Sequence, residues 1–150
     1  MNIVDRYIVG SITNDALLYQ IGANPALIET VSLAPTKWNL LHAIVRKHDV
    51  NLLHNIIEIL SAHDMLADVI DKFTYGGTTP ITLAVQLKHT DMFVKLKDSG
   101  ADILAKGDGG HSAVFTACCY PGTDEIKAEI ITILGDAGTM QAIVASEMDM

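Results

Sequence analysis

An all-α fold is the expectation for this chain of 150 residues. Apolar residues recur at helical spacing along most of it, strand-like alternation is not sustained anywhere, and glycines and hydroxyl residues sit where helices would stop and start.

From the N-terminus, Leu17 and Leu18 lead to a stop at Gly22. Val50, Leu53, Ile57 and Leu60 fall at i, i+3, i+7 and i+10, one stripe of a 3.6-residue period. Thr79 precedes Pro80, a capping hydroxyl followed by a proline at the first helical position, where the missing N–H costs nothing. Met92, Phe93 and Leu96 make a shorter stripe that ends at Gly100. Ser112 is placed to cap the next helix. Ile126, Ile130, Ile133, Leu134 and Ala137 form a last stripe at i, i+4, i+7, i+8 and i+11, with Gly138 as its expected stop.

Composition narrows the function classes. Charged residues are 19% and hydrophobic residues 49%, a balance that favours a packed core over disorder. A chain of this length buries roughly 68–70% of its surface on folding, enough for one domain. Ten basic residues against eighteen acidic ones leave a net charge of −8, the wrong sign for nucleic acid or an anionic membrane. The deficit is concentrated: residues 107–150 hold seven acidic residues and one lysine. No apolar run reaches the roughly 18 residues of a membrane span. Asp5 and Arg6 occupy the place of a basic n-region, so no secretory signal is expected. The only cysteines, Cys118 and Cys119, are adjacent and make no disulfide framework, which fits a reducing, cytoplasmic setting.

Two segments repeat. Gly77-Thr78-Thr79-Pro80-Ile81-Thr82-Leu83-Ala84-Val85 aligns with Gly110-His111-Ser112-Ala113-Val114-Phe115-Thr116-Ala117-Cys118 at an offset of 33 residues. A weaker copy, Lys37-Trp38-Asn39-Leu40-Leu41-His42-Ala43-Ile44-Val45, lies 40 residues before the first. The period, the run Thr79-Pro80-Ile81-Thr82-Leu83-Ala84 and the terminal Gly100-Ala101-Asp102 resemble the ankyrin-repeat family. The resemblance is close over residues 74–106, moderate over 107–138 and loose over 36–72. Departures are an insertion around Tyr120-Pro121-Gly122-Thr123-Asp124, Lys95 and Lys97 in place of the outer-helix leucines, and Ile44 in place of a small alanine.

The resemblance implies an ankyrin-type solenoid of about three helix-turn-helix repeats over residues 34–139. A helical N-terminal cap would cover 1–33 and a C-terminal helix or tail 140–150. It further implies binding of another protein on the concave face, with no catalysis and no cofactor. The family's partner-facing positions fall on Trp38, Arg46 and Lys47 in the weak copy and on Tyr75, Thr78, Gln86 and Leu87 in the clear one. In the third they fall on Lys106, Asp108, His111, Cys119 and Tyr120. Trp38 and Tyr75 are the expected anchors, since aromatic side chains dominate binding hot spots; the bland alternative is that Trp38 plugs the join to the cap. The resemblance also implies that His42 and His89 each bond a neighbouring turn.

Catalytic chemistry is weakly supported. His42, His48 and His54 are spaced by six and do not share a helical face, and there is no Cys-x-x-Cys, so a metal site is not expected. A thiol nucleophile at Cys118 or Cys119 with His111 as base would need partners about two helical turns apart to meet. The second functional reading is a regulatory or targeting segment of a larger enzyme, or a bacterial effector acting in a host cytoplasm. Leu87 and Phe115, expected to be exposed, are compatible with a homodimer.

Overall fold

The computed structural model describes residues 2–30, 37–74 and 76–148. The described residues are all-helical, without strands. Helices α1 (Ile3–Ile8) and α2 (Asn14–Ala23) are followed by a 3₁₀ turn (Pro25–Glu29). Then come α3 (Leu40–Lys47), α4 (Val50–Ala62) and the short α5 (Leu66–Val69). The remainder comprises α6 (Pro80–Gln86), α7 (Thr90–Asp98), α8 (Ala113–Cys119), α9 (Asp124–Leu134) and α10 (Ala137–Met148).

Local chemistry sets the helix starts. The Thr79 hydroxyl accepts from the Thr82 N–H at 3.3 Å, and the Ser112 hydroxyl from the Phe115 N–H at 3.2 Å. Asn39 does the same for His42 at 3.0 Å, so the weak copy begins its helix at the equivalent residue. Two expected stops move. Gly22 lies inside α2, and Gly138 lies in the first turn of α10. Helix α9 ends instead at Gly135, which takes the left-handed conformation (φ 94°) and gives its N–H to the Ile131 carbonyl at 2.8 Å. There the chain bends by 103°, so Ala137 belongs to a new helix rather than to the Ile126 stripe, and Ile133 is left 43% exposed. Gly100 stands where expected, just past α7, in the left-handed region.

The helices pack in two rows. α3 lies between α1 and α6, α6 carries α8, and α8 carries α10. Behind them, α2 contacts α4, α4 contacts α7, and α7 contacts α9. Each hairpin closes on itself through α3–α4, α6–α7 and α8–α9 contacts. The apolar stripes meet between the rows: Leu53, Ile56, Leu60, Met92, Phe93, Leu96, Ile126 and Ile130 are all fully buried. Burying a Leu- or Phe-sized side chain stabilises by roughly 1.5–3 kcal/mol, so this layer is a substantial part of the cohesion. Among the described residues no single helix is long and apolar enough to cross a membrane.

The turns ahead of α6 and α8 touch backbone to backbone. The Gly107 N–H donates to the Gly77 carbonyl at 3.0 Å. A Cβ on Gly110 would stand 2.1 Å from that same carbonyl oxygen, and one on Gly77 would stand 2.6 Å from the Gly110 nitrogen. Both glycines are required by this approach. A Gly110→Ala variant is expected to lose about 1–3 kcal/mol of stability through overpacking. Gly22→Ala, in open space within a helix, is expected to gain about 0.5–1 kcal/mol. Urea denaturation of the two variants beside the parent checks the pair; equal effects would contradict the turn contact.

Candidate binding hollow

Two turns project from the helix rows. In the first, ahead of α6, the Thr74 N–H donates to the Thr78 carbonyl (2.9 Å) and the Thr78 N–H to the Thr74 hydroxyl (3.2 Å). The second, 107–110, is closed by Gly110 N–H to the Gly107 carbonyl (3.1 Å). His42 anchors the first turn from the preceding hairpin: its Nε2 lies 2.8 Å from the Thr78 carbonyl, while Nδ1 accepts from the Asn39 N–H at 3.2 Å. A carbonyl only accepts, so Nε2 carries the hydrogen. His89 instead stacks its ring on His48, in the turn after α3, at 3.8 Å.

Below these turns, against α6 and α8, lies a hollow of about 190 Å³. Thr78, Gln86, His111, Cys119 and Tyr120, five of the residues expected to face a partner, line it together. Phe115 and Thr116 complete the wall, and Gly76, Gly109 and Gly110 leave bare backbone at the rim. The sequence reading passed over Phe115 and Thr116 as contact residues. Ser112, Phe115, Thr116 and Cys119 nevertheless follow i, i+3, i+4 and i+7, which puts them on one face of α8.

The other expected contacts are dispersed. Lys47 donates to the Tyr7 carbonyl and holds its ammonium 4.1 Å from the centroid of the Tyr7 ring, so α1 engages it. Arg46 is exposed at the end of α3. Trp38 is half-buried against the core just ahead of α3, the position of a plug at the join. Leu87 and Phe115 are also half-buried rather than exposed, because Leu87 packs on the core and Phe115 stacks on His111 at 4.2 Å. Asp108 is exposed at the tip of the second turn. The Lys106 ammonium reaches Glu147 at 3.7 Å. Tyr75 lies outside the described residues.

Among the described residues, no Lys, Arg, Asp or Glu lines the hollow. Its groups are hydroxyls, an amide, an imidazole, a phenol and a thiol beside an aromatic stack, suited to neutral hydrogen bonds and to a ring or aliphatic group laid on the stack. Glu147, on α10, sits 3.9 Å from His111 Nδ1 and is held by the Ser112 N–H (2.9 Å) and hydroxyl. Burial pushes the Cys118 thiol up, away from thiolate character. Cys118 lines a different recess, about 360 Å³, with Met140, Val144 and Met148 of α10. Among the described residues no group of three His, Cys, Asp or Glu side chains is placed to hold a metal ion. No model of a known protein family matches the chain, and neither does any curated protein.

Burial favours the neutral form of His42 and pushes its pKa from 6.5 down to about 4, against the opposing pull of the Thr78 carbonyl. The unfolded chain therefore binds more protons than the folded one between pH 6.5 and 4. Stability supplied at neutral pH is lost as the pH falls through that window. Between pH 7 and 5 the loss from His42 is expected to be about 2 kcal/mol. Urea midpoints at the two pH values, in the parent and in His42→Asn, check this. The variant is expected to show a much flatter pH dependence.

Proposed function

We propose that this chain is an ankyrin-type stack of about three helical hairpins that binds an extended segment of another protein. On this reading it has no chemistry of its own and acts as a recognition module. The observation that carries the proposal is the convergence of Thr78, Gln86, His111, Cys119 and Tyr120 on one hollow. These are positions that the ankyrin resemblance marks as partner-facing, they come from two segments 33 residues apart, and a shared recess is consistent with stacked repeats. Supporting it are the hairpin-on-hairpin packing, the equivalent caps at Asn39, Thr79 and Ser112, and the paired glycine turns. The hollow is open and small, a shape that accommodates side chains of a bound strand rather than enclosing a reacting substrate.

The test is affinity capture followed by reconstitution with the purified partner. A Gln86→Ala/Tyr120→Ala variant, shown to be folded, is expected to bind at least tenfold more weakly, about 1.4 kcal/mol. Asn55→Ala, exposed on α4, is expected to bind as the parent does. A partner held equally by all three proteins would place recognition elsewhere.

A further inference from the structure

Four histidines stand along the seam between the α3–α4 hairpin and the α6–α7 hairpin: His42 and His48 at opposite ends of α3, His89 stacked on His48, and His54 of α4, whose Nδ1 accepts from the Lys95 ammonium of α7 at 2.8 Å. At one end of α3, His42 bonds the Thr78 carbonyl of the following turn. At the other end, His48 takes a left-handed conformation (φ 58°) that ends the helix and lays its ring on His89, with centroids 3.8 Å apart and planes 10° from parallel. The His48 Nε2–H donates to both oxygens of Asp91, at 2.8 and 2.9 Å. Residues from one hairpin thus grip the next at both ends of the helix that joins them.

The neighbouring seam is built from other chemistry. Where His42 stands, the next copy has Thr82, whose hydroxyl accepts from Thr79 within its own helix start. The contacts between the second and third hairpins include the Gly107 to Gly77 hydrogen bond and the Lys97–Glu129 ion pair at 3.2 Å. None of these contains an imidazole.

We propose that the first seam is an acid-released joint: protonation of His42 and of the His48–His89 stack opens it locally, while the seam between the second and third hairpins stays closed. The physical basis is different at the two ends. His42 is buried, and its cleft is also lined by Glu29, Lys37 and Lys72. An imidazolium formed there is disfavoured by the loss of its hydration. At the stack, a proton on each ring sets two like charges face to face. Arg46, Lys88 and Lys95 balance Asp91, Asp98 and Glu125 around it, so the surroundings supply no surplus of negative charge for a second cation. Burial holds His89 below its ordinary pKa, as do the His48 ring and Arg46, against the opposing effect of Asp91. A repeat array with nearest-neighbour coupling gives way at its weakest interface, so loss of these contacts opens one seam before the rest.

Hydrogen exchange of the intact chain, corrected for intrinsic rates, reads this directly. Between pH 7 and 5 the opening constant for residues 40–62 is expected to rise more than 20-fold, of which about 20-fold comes from His42 alone. Over the same range, residues 113–134 are expected to change less than threefold. His48→Gln, at a half-exposed ring, keeps the fold and is expected to bring the first region's change down to about 20-fold. The proposal is overturned if both regions lose protection by the same factor, if neither does, or if His48→Gln responds to pH as the parent does.

Discussion

The second and third hairpins are held together where the turns ahead of α6 and α8 touch backbone to backbone, and that contact sets the spacing of the helices behind it. The Gly77 carbonyl takes the Gly107 N–H, and Gly110 comes so near that no side chain fits between them. With the turns at this distance, α6 and α8 lie side by side and α7 and α9 meet behind them. The fully buried Phe93, Leu96, Ile126 and Ile130 then share one apolar layer. A single helical pair exposes too much of its apolar face to stand alone, so registration between neighbours is as important here as the helices themselves.

The two ends of the rows solve the problem of the missing neighbour with different chemistry. At the start, α1 packs on α3, and Lys47 is bound to the Tyr7 carbonyl over the Tyr7 ring. At the finish, α10 turns back through 103° onto α8, and Glu147 satisfies the N–H and hydroxyl of Ser112. A carboxylate at the first turn of α8 also complements the positive end of the helix dipole. Both closures set a charged side chain on backbone atoms: Lys47 on the Tyr7 carbonyl, and Glu147 on the Ser112 N–H. Among the described residues no Lys, Arg, Asp or Glu lines the hollow between the turns, which sets it apart from these ends.

Much of the architecture was legible because it is local. A cap needs only a hydroxyl or amide three residues from the N–H it satisfies, and Thr79 and Ser112 met that condition on inspection. The Met92–Phe93–Leu96 stripe needed only the helical period. Gly22 and Gly138 misled because a glycine after an apolar stretch fits a stop and a helix interior alike; Gly135, which does end α9, was hidden inside the apolar run from Ile126 to Ala137. Lys47 looked like a free contact because nothing near it in sequence announces Tyr7, 40 positions earlier. Phe115 looked exposed because its stacking partner His111 belongs to the turn rather than to the helix stripe.

By itself the sequence determined the all-α character, the 33-residue offset between its two matching segments and the helix starts at Thr79 and Ser112, since these follow from short-range periodicity and from hydrogen bonds across three or four residues. Tertiary structure alone decided which side chains share a surface. The His42–Thr78, His48–Asp91 and Ser112–Glu147 contacts span 36, 43 and 35 positions, and each depends on how closely one hairpin approaches the next. That distance is set by the size of side chains at the contact, down to the absent Cβ of Gly110, and no local pattern in the chain encodes it.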